Sequence, residues 1–447
     1  MLDRLRHPLV AVAVAILLTI PWIVTYVAYG FHVEAGANMA PGSTVAVSGL
    51  AVLGASFLLA WGAETAEKDV PKAFAIAVLA VLAVAPEYAV DALYAWQAGA
   101  GSEQAGNLAV ANMTGANRIL IGIGWSGIAL FTIYRAKYAS DEAVDHRSGF
   151  LADVVTLDRE IATEIAFLLA ATAYAFFVPL SGGIGPIDTL LLVGLYVLYI
   201  GVILRGDVDE DEEHVGIPAY FQEYSKARRI AVVLFLFAFS GAMIFTAVEP
   251  FAHGLEVLGK NFGVPEFFMI QWVAPLASES PELIVVVYLV NKARSTAGFN
   301  ALISSKLNQW TLLIGTLAVV YSISAGEIGT LAFDHKQSAE IWITAAQSFF
   351  ALALITNFEI STREAVVLFV LFISQVVVEV GLILALGESA ATEPSITILY
   401  AYTVLYSVLG VGLFVKRRRT FRELLGRTGS TVRSAVNGGS SRPERAD

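Results

Sequence analysis

Two short stretches of the chain place a proline directly before a glutamate inside a long apolar run. They are Pro86-Glu87 in the first half and Pro281-Glu282 in the second half. A proline inside a helix removes one backbone donor and frees the carbonyl four residues earlier, where no water replaces the lost partner. A charge at the centre of a membrane helix costs roughly 2.5 to 3.5 kcal/mol on insertion scales, so such a glutamate usually faces a partner, a cavity or an ion. The duplication therefore indicates an ion transporter.

Further acidic side chains accompany each glutamate. Glu87 and Asp91 are four residues apart, and Glu279 and Glu282 are three apart, so each pair lies on one helix face. Calcium prefers about six to eight oxygen ligands, which carboxylates, freed carbonyls, asparagine amides and serine hydroxyls could supply together. The two pairs are therefore predicted to meet between the halves of the chain, around a hard cation.

Arg118 and Lys306 occupy matching positions in the two halves, each inside an apolar helix. One hypothesis is that each cation stands in for a bound co-ion and changes the stoichiometry; a buried lysine could also release its proton, whereas an arginine cannot. The other is that they are structural ion-pair partners of the buried carboxylates. Glu164, Gln375 and Glu379 are predicted to form hydrogen bonds between helices or a proton path.

The elements that position these residues are transmembrane helices. The 447-residue chain is 57% hydrophobic and 15% charged, with a mean hydropathy of +0.68, against about 25% charged residues in soluble domains. Twelve apolar stretches, most of them near the about 20 residues that cross a bilayer, predict an all-α polytopic membrane protein. The absence of cysteine excludes disulfides and thiolate metal sites. No phosphate-binding glycine loop, zinc spacing or nucleophile elbow occurs, so a transporter without a cofactor is predicted rather than an enzyme.

The basic residues predict the orientation. All but four of the 28 Lys and Arg residues fall in the termini and the even-numbered loops, which the positive-inside rule assigns to the cytoplasm. The exceptions are Arg118, Lys260, Lys306 and Lys336. We therefore expect a protein of the cytoplasmic membrane with both termini inside. Its expected partners are inorganic cations and the lipid bilayer, not nucleic acid, and its oligomeric state is not predicted.

Alignment of the two Pro-Glu breaks divides the chain into two inverted five-helix repeats with one extra helix at each end. An odd number of spans per repeat makes the second copy enter the membrane from the opposite side, the plan of many secondary transporters. The predicted segments are an extra N-terminal helix (1–36), the first repeat (43–204), an acidic cytoplasmic linker (205–229), the second repeat (230–387), an extra C-terminal helix (394–415) and a disordered basic tail (416–447).

At these breaks the chain resembles the cation/calcium exchanger superfamily, which includes the sodium/calcium exchangers. Residues 85–87 and 278–282 are similar to the family's Thr-Ser-x-Pro-Glu, and residues 112–117 are similar to its Gly-Asn-x-x-Gly-Ser-Asn. The resemblance implies that Glu87 and Glu282 are the two central cation-binding carboxylates. Around them it places Asn112, Asn117, Ser278 and Ser304, and Asn308 completes the predicted site.

The two repeats depart from the family pattern to different degrees. The first has apolar residues at four of the family's polar positions: Ala83, Val84, Ala116 and Leu120. The second keeps Ser278, Ser304 and Asn308 at the corresponding positions. Ion number and selectivity therefore do not follow from the resemblance.

The sequence as a whole predicts a secondary active antiporter that exchanges calcium for sodium or protons by alternating access. Glu87 and Glu282 are the predicted calcium ligands, while Asp91 and Glu279 are weaker candidates. Two alternatives remain open. One is a sodium/proton antiporter, favoured by the lost hydroxyls and the two intramembrane bases. The other is a transport-dead membrane sensor or scaffold on the same fold.

Overall fold

The structure of the chain, a computed structural model, describes residues 7–29, 39–69, 84–138, 140–205 and 216–436. Its apolar runs form helices because, in hydrocarbon, every backbone N–H and C=O must find its partner inside the protein. In the first half these are α1 (Pro8–Ala28), α2 (Pro41–Ala66), α3 (Ala85–Gly99), α4 (Glu103–Ile119), α5 (Ser126–Ala136), α6 (Ala162–Ala175) and α7 (Pro186–Ile203).

The second half continues the same architecture. Its helices are α8 (Ile217–Gln222), α9 (Lys226–Phe262), α10 (Glu266–Phe268), α11 (Ala274–Asn291), α12 (Ser295–Asn308), α13 (Ile314–Ala325), α14 (His335–Ile355), α15 (Thr362–Leu386), α16 (Glu388–Lys416) and α17 (Arg418–Val436). The strands are β1 (Val144–Asp145), β2 (Val154–Thr156), β3 (Gly183–Ile184), β4 (Leu331–Ala332) and β5 (Glu359–Ser361).

The number of spans follows from helix length and composition. Within the described ranges ten helices are long and apolar enough to cross a membrane, and a further bent segment, 269–291, makes up to eleven. One of the twelve predicted apolar stretches, residues 72–97, lies partly outside these ranges, and α3 includes most of its described portion. The all-helical membrane fold is confirmed, and the count of twelve stays a prediction.

In the described part of the chain, three π-helical turns interrupt the membrane helices. Leu120–Trp125 joins α4 to α5, Gln309–Leu313 joins α12 to α13, and Met269–Val273 precedes α11. A π turn carries an extra residue and often marks a functional site. The first two occupy equivalent places in the two repeats, directly after the helices that carry Arg118 and Lys306.

Two small sheets connect the repeats at opposite ends of the bundle. The connection between α5 and α6 contributes β1 and β2, which pair with β5 between α14 and α15. The connection between α6 and α7 contributes β3, which pairs with β4 between α13 and α14. The helices α4 and α5 form one membrane span, and so do α12 and α13. In each sheet, the connection after the third span of one repeat therefore meets the connection after the fourth span of the other. This reciprocal exchange is the relation that an inverted repeat requires.

The predicted cytoplasmic loops contact one another at one face. Arg229 at the start of α9 donates to both carboxylate oxygens of Asp69, at 2.5 and 2.6 Å, and this contact holds the pKa of Asp69 below its usual range. Lys68 donates to the carbonyl of Gln222 at 2.8 Å. Residues 206–215 of the acidic linker lie outside the described residues, and the last residues of the linker form the start of α9 rather than a loop.

The C-terminal tail differs from the sequence prediction. Disorder is predicted from residue 416 onward, but α17 forms over Arg418–Val436, because Leu424 and Ala435 are buried at a helical spacing and pack the helix against the bundle. Arg417 anchors its start by donating to the Glu364 carboxylate. The prediction is therefore wrong for residues 418–436, and residues 437–447 lie outside the described ranges.

Candidate functional site

Glu87 lies at the N-terminal end of α3. The helix begins at Ala85 with Pro86 in its first turn, where the missing proline donor is not needed. The Glu87 side chain is only 2% exposed. Unpaired backbone donors at a helix N-terminus favour a nearby negative charge. The proline therefore places a buried carboxylate where the backbone can stabilise it.

Glu282 lies on the second repeat, directly after a bend of 47° between residues 269–280 and 282–291. It is partly exposed. It is close enough to Glu87 for the two carboxylates to repel each other, and Glu87 also interacts with the Ser278 hydroxyl. The structure thus brings Glu87, Glu282 and Ser278 together from the two repeats.

Polar contacts around this pair also join the repeats. The Tyr88 hydroxyl on α3 donates to Oδ1 of Asn308 on α12 at 2.9 Å. Within the first repeat, Nδ2 of Asn112 donates to Oδ1 of Asp91 at 2.9 Å. Asn112 and Asp91 are therefore adjacent, and their other oxygens, Oδ2 of Asp91 and Oδ1 of Asn112, are buried without a hydrogen-bond partner within the described ranges.

Glu279 is fully buried and belongs to the same electrostatic cluster. It interacts with Glu87, Glu282 and Lys306, and its Oε1 accepts a hydrogen bond from Nε2 of Gln309 at 2.6 Å. Among the described residues, Oε2 of Glu279 and Oε1 of Glu87 are buried oxygens with no hydrogen-bond partner. An unpartnered buried oxygen is costly, so these two are acceptors suited to a cation.

Lys306 points into this cluster. Its ammonium donates to Oδ1 of Asn117 at 2.7 Å and to the Asn117 backbone carbonyl at 3.2 Å. It lies 4.4 Å from the centre of the Trp310 ring, and its side chain is fully buried. Two oxygens of a predicted cation ligand, Asn117, are thus occupied by a cation that belongs to the chain itself.

Arg118 points the other way. Its guanidinium donates to Oε2 of Glu340 on α14 at 2.5 Å and to the side-chain oxygen of Gln375 on α15. Gln375 in turn donates to Glu379 at 2.9 Å, and Lys336 pairs with Glu379 at 3.1 Å. Gln375 and Glu379 therefore form the predicted contacts between helices, and Arg118 is a structural ion-pair partner.

Ser304 is not brought to the carboxylates. It is exposed and interacts with Tyr199 on α7, whose hydroxyl also donates to Glu164 at 3.1 Å. The neighbouring Ser305 lies beside Glu282 instead, and its buried hydroxyl oxygen makes no hydrogen bond in the part of the chain that the structure describes. A shift of one residue turns a side chain by about 100° around a helix, and the motif alignment alone did not fix that angle.

The two repeats approach each other closely at Gly115. A Cβ added there would lie 1.7 Å from the backbone oxygen of Gln271 in the π turn before α11. Only a glycine allows this approach. The contact holds α4, which carries Asn112 and Asn117, directly against the second repeat.

Sequence reasoning missed five residues that complete the site and its surroundings: Tyr88, Gln271, Ser305, Gln309 and Glu340. Glu340 and Gln309 could have been found, because each is a polar residue within or at the edge of a predicted span. Within the described ranges, no three acidic or histidine side chains are arranged to hold a metal ion by themselves. Neutral oxygens must therefore complete any coordination by Glu87 and Glu282.

Comparisons with known proteins find the same fold elsewhere. A family model described as sodium/calcium exchanger protein matches residues 42–205 and 232–381. The crystal structure of an H⁺/Ca²⁺ exchanger, CAX, is 41% identical in sequence, covers 96% of this chain and 98% of its own, and superposes with a TM-score of 0.82.

More distant structures share the fold. Native YfkE is 15% identical over 83% of this chain and 98% of its own, with a TM-score of 0.55. The selenium-substituted Ca²⁺/H⁺ antiporter YfkE is 13% identical over 81% and 97%, with a TM-score of 0.56. No curated protein sequence matches the chain.

Proposed function

Because the chain belongs to the sodium/calcium exchanger protein family and is a cation/calcium antiporter, we propose that it exchanges calcium for protons. The observation that carries this proposal is the pair Glu87 and Glu282, one carboxylate from each repeat, interacting in the membrane interior. Two carboxylates this close cannot both be charged at little cost unless a cation or a proton compensates them.

Competition for the same oxygens gives the exchange mechanism. Calcium requires deprotonated carboxylate ligands, so its binding releases protons and proton binding displaces it. The likeness to an H⁺/Ca²⁺ exchanger at 41% identity supports protons as the counter-ion. A site shared between inverted repeats can open to either side of the membrane when one repeat rocks against the other.

The ligands follow from the contacts. Glu87 and Glu282 supply the charged oxygen ligands, and the hydroxyl groups of Ser278 and Ser305 lie beside them as uncharged oxygen ligands. Asn112 acts through Asp91, and Asn308 is held by Tyr88. We place the protein in the cell membrane with both termini in the cytoplasm, supported by the clustering of Lys and Arg in the even-numbered loops.

The test is calcium uptake into proteoliposomes driven by an outward proton gradient, repeated with an outward sodium gradient. Proton-driven uptake is expected for the natural chain and should be lost in Glu87→Gln and Glu282→Gln. Glu142→Gln makes the same chemical change at an exposed loop position and should transport normally. Calcium uptake driven only by the sodium gradient would identify sodium, instead of protons, as the counter-ion.

Two other results would overturn the proposal. Sodium-dependent proton movement without calcium would identify the sodium/proton antiporter. No flux under any gradient, with a monodisperse protein, would identify a transport-dead relative.

A further inference from the structure

Lys306 is the one buried cation, among the described residues, whose ammonium both contacts a predicted ligand and interacts with a site carboxylate. Its nitrogen lies 2.7 Å from Oδ1 and 3.2 Å from the carbonyl of Asn117. It also interacts with Glu279. Two oxygens at such distances, with a carboxylate nearby, form an environment that a dehydrated monovalent cation would occupy equally well.

The charges of the site favour such a cation. Glu87, Glu279 and Glu282 interact with one another and carry three negative charges when all are deprotonated, one more than a divalent cation neutralises. Asp91 is a weaker neighbour of Glu87 and accepts a hydrogen bond from Asn112. An uncompensated charge in the membrane interior is strongly unfavourable, so a calcium-loaded site must keep one of these carboxylates protonated unless a further positive charge lies beside it.

We propose that Lys306 is a tethered monovalent cation that occupies the oxygens of Asn117, so that the site takes up one divalent ion without a monovalent co-ion. This inference rests on the proposed function, and it adds the reason why sodium is not required. The tethered charge cannot leave, so the loaded site keeps the same charge in every transport cycle.

The equivalent cation of the first repeat cannot play this role. Arg118 is held by Glu340 and Gln375 on α14 and α15, and within the described part of the chain its ion pair is with Glu340 and not with Glu87, Glu279 or Glu282. The chain therefore offers a matched control: a buried cation at the corresponding position that faces away from the site.

The experiment measures calcium binding to the purified full chain in detergent, by equilibrium dialysis with radioactive calcium, at constant ionic strength. Each variant is measured in sodium chloride and in choline chloride. We expect Lys306→Met to bind calcium about tenfold more tightly in sodium than in choline, because a free sodium ion replaces the lost ammonium. The natural chain and Lys306→Arg, which keep the charge, should show no such preference.

Two further variants keep the test decisive. Lys306→Gln retains hydrogen bonding to Asn117 without the charge, and it should gain the same sodium dependence if Lys306→Met does not fold. Arg118→Met/Glu340→Met removes the other cation together with its partner and should gain none. Calcium binding that is equally insensitive to sodium in Lys306→Met, Lys306→Gln and the natural chain would overturn the inference. A natural chain that binds no calcium would instead overturn the proposed function.

Discussion

Arg118 and Lys306 lie on equivalent helices of the two repeats, each just before a π turn, but their partners belong to different parts of the molecule. Arg118 reaches outward to two other helices, whereas Lys306 reaches inward to Asn117 and Glu279. Both cations also lie over a tryptophan ring, at 4.8 Å for Arg118 and 4.4 Å for Lys306.

The chemistry of the two side chains explains the division. A planar guanidinium presents several donors in a fixed fork and suits two acceptors on different helices, while an ammonium is a compact charge that suits a group of oxygens. The fold is pseudo-symmetric, and α7 of the first repeat corresponds to α15 of the second. Tyr199 is the fourteenth residue of α7, and Gln375 is the fourteenth residue of α15. Tyr199 donates to Glu164 without a cation. Backbone symmetry therefore does not determine side-chain function.

The largest expected effect is a difference in protein stability between variants that lack Arg118 and variants that lack Lys306. Arg118→Met should lower the free energy of unfolding by about 3 to 5 kcal/mol, because it leaves Glu340 buried without its counter-charge. Lys306→Met should lower it less, because Glu279 keeps its hydrogen bond from Gln309. Denaturation in detergent, followed by tryptophan fluorescence, measures both. Equal losses would mean that the two cations have the same structural role.

The next effect concerns the contact that orients α4, and with it both Asn117 and Arg118. Gly115→Ala should destabilise the protein by about 1 to 3 kcal/mol, because the added Cβ overlaps the Gln271 carbonyl and forces the repeats apart. Gly127→Ala is the control, since nothing lies within 4 Å of its added Cβ. If thermal unfolding and calcium uptake were unchanged in Gly115→Ala, this contact would not position the helix.

A third prediction distinguishes the two carboxylate partners by calcium affinity. Glu279→Gln removes a negative charge from the site and should weaken calcium binding about tenfold, an energy of about 1.4 kcal/mol. Glu340→Gln should change stability rather than affinity, because its partner is Arg118. Equilibrium dialysis gives the affinities and fluorescence gives the stabilities. A drop in affinity for Glu340→Gln alone would reverse the assignment of site and scaffold.

The smallest effect tests the same type of ion pair at the membrane surface. The pKa of Asp69 is lowered by Arg229, so the pair stabilises the fold above the ordinary carboxyl pKa of about 4 and this contribution is lost as the pH falls through the lowered value. It should amount to about 0.2 to 1 kcal/mol. Asp69→Asn should therefore reduce stability at pH 7 and leave it unchanged at pH 2. A difference that persists at pH 2 would point to packing instead of charge.

The sequence was informative about the centre of the molecule and less so about its periphery. The two Pro-Glu breaks predicted that Glu87 and Glu282 would meet. A glutamate inside a membrane helix is energetically unfavourable, so its occurrence at equivalent places in both repeats indicates a common function. The partner of Arg118 could not be predicted, since it depends on which helices pack together. The motif alignment predicted Ser304 at the site and did not identify Ser305, because an alignment does not fix the rotation of a helix. Helix α17 was missed because its polar composition concealed its few buried residues.

The π turns after α4 and α12 have a consequence for the evolution of this architecture. Each carries one residue more than an α-helix of the same length, so deleting a single residue from Leu120–Trp125 or Gln309–Leu313 would restore a regular helix. Because the wider turn already absorbs the extra residue, that deletion would leave the two halves of the helix facing as they do now. A one-codon loss in either place would thus remove the wide turn beside Arg118 or Lys306 while the rest of the bundle stays in register.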